Sequence, residues 1–323
     1  MAKKKQKSEV SMDMNLGELI SRFGSDDKCR AYLEALRWTD GLACPRCASD
    51  KVSAIKDRPQ YDCDACHYQF SVTTGTVLHD THLPLWKWFA ATYLMIEAKK
   101  GVSANQLKRT LKVHYKTAWY LCHRIREAMR DVNPMPLTGT VEVDETWIGG
   151  KRKHVGRGYI KNKTMVVGAV QRNGAIHLRV ETRPSHEVLH GFSGDVCADE
   201  TENIYTDEHP AYFGVGDDDT NHESVNHSAE EWVRGDVHTN SVEGVWSLFK
   251  RAVVGSYHQV SAKHLDRYLD EFQFRFNGRT NQHLFRDTIM RLLDAPKLTY
   301  AELISGVSKP AVTAALPTEW EPF

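Results

Sequence analysis

No apolar run in the 323 residues approaches the ~18 needed to cross a bilayer, which argues against a membrane-spanning chain. The opening MAKKKQKSEV is basic but runs into polar residues, so it does not read as a secretory signal. Net charge is missing too. With 42 Lys plus Arg against 42 Asp plus Glu, bulk charge predicts no polyanionic partner, and any basic footprint must be local. Cysteine is scarce: seven residues are too few for a disulfide scaffold in a chain of this size. These absences leave a soluble, cytoplasmic protein in a reducing compartment, long enough for two or three domains.

Four of the cysteines form two Cys-x2-Cys pairs, Cys44/Cys47 and Cys63/Cys66, with 15 residues between them. Each pair can close a knuckle around one tetrahedral Zn²⁺, and the segment between can form a short hairpin. Four thiolates leave no open position for water, so the expected zinc is structural. Its ribbon spans 39–82, behind a basic tail and two short helices in 1–38, with Ser25 or Asp26 as N-cap of the second. Residues 68–82, rich in β-branched side chains, are expected to complete the ribbon's sheet. Cys29 reads as a buried thiol and His67 as an exposed hairpin residue.

Residues 83–131 break into three helices at Gly101 and near His114, and Ser103 with Gln106 forms a capping-box pattern for the second. A short turn before the third gives the segment a helix-turn-helix character. Between Lys99 and Arg130 there are nine basic residues and one acid, Glu127. Such segregation in a neutral chain suits a duplex phosphate backbone; the alternative is a solvated helix face. The candidate contacts are His114, Lys116 and Thr117 in a groove, and Arg124 and Arg126 on phosphates.

After the Pro-containing linker 131–139 the pattern turns to strands. In 140-TVEVDETWIGG-150 the alternation puts Glu142, Asp144 and Thr146 on one face and Val141, Val143 and Glu145 on the other. Strands follow at 164–170 and 175–182, joined by a turn with Asn173-Gly174, then a weaker helical stretch, then a strand 203–207 ending in Asp207. A polar loop leads to 238-HTNSVEGVWSLFKR-251. Here Val242, Trp246, Phe249 and Val253 make a buried helical stripe, while Glu243 and Lys250, with Asn240 about 60° away, make one polar edge.

Three sequential strands, a helix, a strand and a helix bearing an acid is the order of a ribonuclease-H-like domain with a mixed sheet, here 139–290, followed by a tail over 291–323. The chain is therefore expected to be an α/β, or α+β, multidomain protein. The separations are 62 residues between Asp144 and Asp207 and 35 between Asp207 and Glu243. This resembles the D, D(35)E pattern of DDE transposases. The words VEVDETWIGGK, TDEHPAY and HTNSVEGVWSLFKR resemble, more narrowly, the ISXO2-like (IS1595-type) insertion-sequence transposases, whose members also begin with a zinc ribbon. The resemblance covers about residues 15–290.

It implies a DNA transposase that binds terminal inverted repeats of double-stranded DNA and carries out metal-dependent cleavage and strand transfer, as a homo-oligomer, in a prokaryotic cytoplasm and at the nucleoid when on DNA. Such chemistry uses two Mg²⁺ or Mn²⁺ ions, one at the attacking and one at the leaving oxygen. Asp144, Asp207 and Glu243 would be the ligands, and Lys250 would hold a DNA phosphate. Asn240 is the other candidate for the third place; charge favours Glu243, because an amide cannot neutralise a cation, and leaves Asn240 as an auxiliary ligand.

Lys151 and Arg152, with Lys153, His154 and Arg157, read as a loop able to grip DNA. Glu142 reads as a group behind the metal ligands or as a solvated acid, and His209 and His238 as residues that orient a ligand or touch DNA. Asp217, Asp218 and Asp219 read as a solvated loop. Two other functions fit the same fold: a DNA-binding regulator or inactive, domesticated transposase, and a nuclease without strand transfer.

Overall fold

The structure, a computed structural model, describes residues 14–150, 163–216 and 219–305. The chain divides into two compact units, one of Met1–Met129, Ser247–Val260 and Glu271–Leu298, the other of Arg130–Trp246, Ser261–Asp270 and Thr299–Phe323. No helix among the described residues is long and apolar enough to cross a membrane.

The first unit opens with α1 (Leu16–Phe23), whose N-cap Asn15 makes a full capping box with Glu18. Helix α2 (Asp26–Arg37) is capped by Ser25. Strands β1 (Val52–Ala54), β2 (Tyr61–Cys63) and β3 (Gln69–Phe70) form an antiparallel sheet in that order. Its small core contains Cys44, Cys63 and Phe70, with Trp38 and Tyr61 packed against them. Strand β3 has only two residues, and 71–82 is turn rather than further sheet, because Thr73, Thr74 and Thr76 spend their hydroxyls and carbonyls on local bonds.

Three helices follow, α3 (Leu85–Glu97), α4 (Ala104–Leu111) and α5 (Tyr115–Met129). The Ser103 hydroxyl accepts from the amide of Gln106, the forward half of the expected box. Helix α5 buries Ala118, Leu121, Cys122 and Ile125, and with them Arg124 and Arg126. The two arginines are corrections to the expected phosphate contacts. Arg124 donates to the carbonyls of Val77 and His79 and lies over the Trp88 and Tyr120 rings. Arg126 is 2 % exposed and pairs with fully buried Glu271 at 2.7 Å, where Tyr257 also donates. Their charge supports the core rather than a surface.

The second unit is built on β4 (Leu137–Ile148), β5 (Thr164–Gln171), β6 (Ile176–Glu181), β7 (Cys197–Asp207) and β8 (Asn221–Val225), with α6 (His186–Val196) between β6 and β7. Sheet order is β6-β5-β4-β7-β8. The first three strands are antiparallel, joined at β5–β6 by the predicted turn, in which Asn173 takes φ +61°. Strands β7 and β8 add in parallel. Strand β8 lies within the stretch expected to be a polar loop; its sequence, NHESV, has one apolar residue and no alternation to betray it.

One sheet face, with Val141, Val143, Met165, Val167 and Ala169, packs on Leu189 and Phe192 of α6 and on Tyr212. The other carries Glu142, Asp144 and Gly168 and meets α7 (Asn240–Ala252), as their contacts below define. Helix α7 continues into a π-helical turn over Val253–Tyr257, and α8 (Leu265–Asn277), α9 (Leu284–Asp294) and α10 (Tyr300–Ser305) complete the described chain.

Candidate active site

Asp144 sits on β4, paired with Gly168 of β5 on one side. On the other, β4 and β7 run parallel with Val141 opposite Ile204 and Glu142 opposite Tyr205, and Asp144 and Asp207 each stand two residues past that last pair. Burial, then the charges of Glu145 and Asp207, push the Asp144 carboxyl up to about 7, opposed by the indole N–H of Trp246, which donates to Oδ2 at 2.9 Å. Asp207, the last residue of β7, accepts the amide of His209 on Oδ1 at 3.0 Å.

Glu145 points to the opposite face, as the alternation predicts. There it accepts from the Tyr212 hydroxyl at 2.7 Å, and burial raises its carboxyl. His209 turns inward along its own chain, its Nδ1 accepting from the amide of Ala211.

Glu243 lies in the first turn of α7 and is exposed, as are Asn240 and, two turns further along the helix, Lys250. The structure thus brings Asp144 and Asp207 together. The three acids do not close into a set with mutual separations within 4.8 Å; among the described residues that spacing is met by Cys44, Cys47, Cys63 and Cys66.

Glu142 is not the solvated acid that the sequence left as one alternative. It is fully buried and accepts from the amides of Ser241 and Val242, the Ser241 hydroxyl and Nε of Arg172. His238 Nδ1 lies 3.2 Å from it, so this histidine belongs to the same cluster. Arg172, which the sequence presents only as a turn residue, also donates to the carbonyls of Asp236 and His238. Trp246 and Gly168 were likewise legible only as core and strand residues.

The four cysteines stand in two matching knuckles. In each, the amide of the residue after the second cysteine, Ala48 or His67, donates to the carbonyl of the first, Cys44 or Cys63, at 2.9 and 2.7 Å. Both residues take positive φ, 56° and 54°. The thiols are free and their sulfurs meet across the hairpin, Cys44 with Cys66 at 3.7 Å and Cys47 with Cys63 at 3.5 Å, a donor set that suits tetrahedral zinc.

At the start of α5, His114, Lys116 and Thr117 are exposed. Lys151, Arg152, Lys153, His154 and Arg157 lie outside the described residues, as do Asp217 and Asp218.

A mixed five-stranded sheet with an aspartate on its central strand and another at the end of the neighbouring parallel strand, in a chain that also carries a four-cysteine ribbon, has the architecture of a DDE transposase. Residues 136–277 match the ISXO2-like transposase domain, and residues 24–69 the transposase zinc-ribbon domain. An uncharacterized protein in transposable element ISH50 of Halobacterium salinarum is 30% identical over 276 residues, 79% of this chain and 92% of that one. The chain belongs to the ISXO2-like transposase family. The crystal structures of the Mos1 strand transfer complex and of a pre-cleavage Mos1 transpososome match 64% and 65% of this chain, and 75% and 79% of theirs, at 14% and 13% identity; TM-scores of 0.28 and 0.24 are too low to relate the folds.

Proposed function

We propose that this chain is the enzyme of an insertion sequence, binding the terminal inverted repeats of double-stranded DNA, cleaving a strand at the element's end and joining it to target DNA. The observation that supports the reading is the parallel pairing of β4 with β7, beyond whose last pair Asp144 and Asp207 each stand two residues, near enough for the charge of Asp207 to act on Asp144, while Asp144 is bonded to the helix of Glu243. The groups acting on Asp144 are two acids, an indole N–H and a backbone amide, so negative charge is concentrated there, and a divalent cation is the partner that fits it. Asp144, Asp207 and Glu243 are the proposed ligands of Mg²⁺ or Mn²⁺, with Asn240 auxiliary. Bound there, such ions neutralise charge on the attacking and leaving oxygens of the phosphodiester.

The protein's own groups do the rest. Trp246 holds one oxygen of Asp144 by a hydrogen bond. Lys250 is free to meet a DNA phosphate. His114, Lys116 and Thr117 supply the groove contacts, and Lys151 and Arg152 a further grip on DNA. One zinc held by the four thiolates supports the ribbon. Attack by water frees a 3′-OH at the element's end, and attack by that 3′-OH on a target phosphodiester joins the strands. Two ends have to be held together for this, which calls for a homo-oligomer on DNA.

The test is a pair of assays with Mn²⁺, cleavage of a labelled intact inverted-repeat end and strand transfer of a labelled, pre-cleaved one. Joined product from the wild type, lost in Glu243→Gln and kept in Asn240→Ala, supports the reading and its third ligand. Binding without cutting or joining would favour a DNA-binding regulator, and cutting without joining a nuclease.

A further inference from the structure

We propose that Glu142 is a positioning residue, a buried carboxylate on β4 that clamps the first turn of α7 and so sets Glu243 against Asp144. The inference rests on the proposed metal site and adds a residue that touches neither metal nor DNA.

The first-turn amides of a helix have no partner within it and are normally met by a local side chain at the N-cap. In α7 the amides of Ser241 and Val242 instead donate, at 2.7 and 3.1 Å, to a carboxylate 99 and 100 residues earlier in the chain. The Ser241 hydroxyl adds a third bond at 2.8 Å. A local cap would satisfy the same amides but would leave the helix free to slide along the sheet. A cap rooted in the central strand fixes where the helix begins.

A second contact lies further along. Asp144, two residues beyond Glu142 on the same strand face, is bonded to Trp246, four residues beyond Val242. Two strand residues span about 6.6 Å, and four helical residues about 6.0 Å. Strand and helix therefore advance in step between the two contacts, and their relative register is set at both ends of one short segment. Glu243 lies between them, one residue past the clamp.

A fully buried carboxylate needs polar and charged partners, and the surroundings provide them. Arg172 Nε lies 2.8 Å from Glu142 Oε1, and His238 Nδ1 3.2 Å. Arg172 comes from the β5–β6 turn and packs over Tyr205 of β7, so the charge pair joins three strands to the start of α7. This is a costly way to hold a helix down, and it is justified where the position of a side chain on that helix matters.

The experiment compares full-length, zinc-loaded wild type with Glu142→Gln. Mn²⁺ binding is measured without DNA, by electron paramagnetic resonance of the free ion, and joining kinetics are measured with the pre-cleaved end. Glu142→Gln is expected to bind Mn²⁺ about tenfold more weakly and to lose kcat with KM for the end unchanged. Leu189→Ala, on the opposite face of the sheet, is the control, and should lower the melting temperature while leaving Mn²⁺ affinity as in wild type. Should Glu142→Gln not fold, Ser241→Ala, which removes one clamp bond and keeps both amides, is expected to weaken Mn²⁺ binding roughly threefold.

A folded Glu142→Gln with wild-type Mn²⁺ affinity overturns the proposal, as does an equal loss in Leu189→Ala. Wild type that binds Mn²⁺ but joins no DNA sinks the transposase reading and leaves the Mn²⁺ comparison to decide the clamp. Wild type that binds no Mn²⁺ removes both.

Discussion

Trp246 donates its indole N–H to Oδ2 of Asp144 across 2.9 Å, bonding the helix of Glu243 directly to the strand acid. Room for that ring comes from Gly168, the β5 partner of Asp144, where an added Cβ would stand 2.6 Å from the indole and 2.8 Å from Leu178. The backbone there has an ordinary φ. The glycine is needed for space, not for conformation.

Gly168→Ala should accordingly be an overpacking substitution. We expect a loss of about 1–3 kcal/mol of stability, with the indole displaced from Asp144 and strand joining reduced more than end binding. Urea denaturation gives the first quantity and paired joining and binding assays the second. An unchanged urea midpoint would mean the ring has slack, and the account of Trp246 would need revision.

Asp144 is held at a cost in the metal-free protein. Its carboxyl, about 7 when folded, is ionised from about 4 in an unfolded chain. As pH falls from 7 to 4, the folded form takes up a proton that the unfolded form does not, and stability rises; above pH 7 the full penalty is present. Asp144→Asn, in EDTA, should therefore exceed wild type in stability by on the order of 2 kcal/mol at pH 8. The difference should shrink towards pH 4. Thermal melts across that range check the sign, and a variant less stable than wild type at pH 8 would show the carboxylate to be compensated.

Why these features differ in legibility is a matter of sequence range. The knuckles, the strand alternation around Asp144 and the stripe of α7 are written in spacings of a few residues, and each is where the local pattern puts it. Glu142 was visible as a residue on Asp144's face, but its partners arrive 99 residues later and no local pattern announces them. Arg124 and Arg126 misled for the related reason that a cation buried among carbonyls and a distant glutamate looks, in sequence, like one turned to solvent. Strand β8 is polar and short and is fixed by pairing with β7, which periodicity cannot register.

The ribbon makes a separate prediction. Its core has few apolar side chains, and both knuckles end in residues at positive φ, so the segment is expected to need its metal to hold together. The purified chain should carry one zinc, and Cys63→Ser should lose it. The variant's ribbon should become protease-sensitive while the sheet carrying Asp144 keeps its cooperative melt. Zinc retained at full occupancy in Cys63→Ser would remove that residue from the ligand set.

Arg124 and Lys116 lie eight residues apart on one helix and should behave in opposite ways. Arg124→Ala deletes bonds to two carbonyls and contacts with two rings, and is expected to cost on the order of 3 kcal/mol in stability. Lys116→Ala removes an exposed charge near the start of α5 and should cost far less stability than Arg124→Ala. If Lys116 meets a phosphate, its removal weakens binding uniformly across DNA sequences and lowers the slope of log K against log salt by about 1. A salt titration of end binding, run beside thermal melts of both variants, separates the roles. A slope unchanged in Lys116→Ala would return that residue to the solvated face, and a stable Arg124→Ala with a reduced slope would reinstate the phosphate contact that its burial argues against.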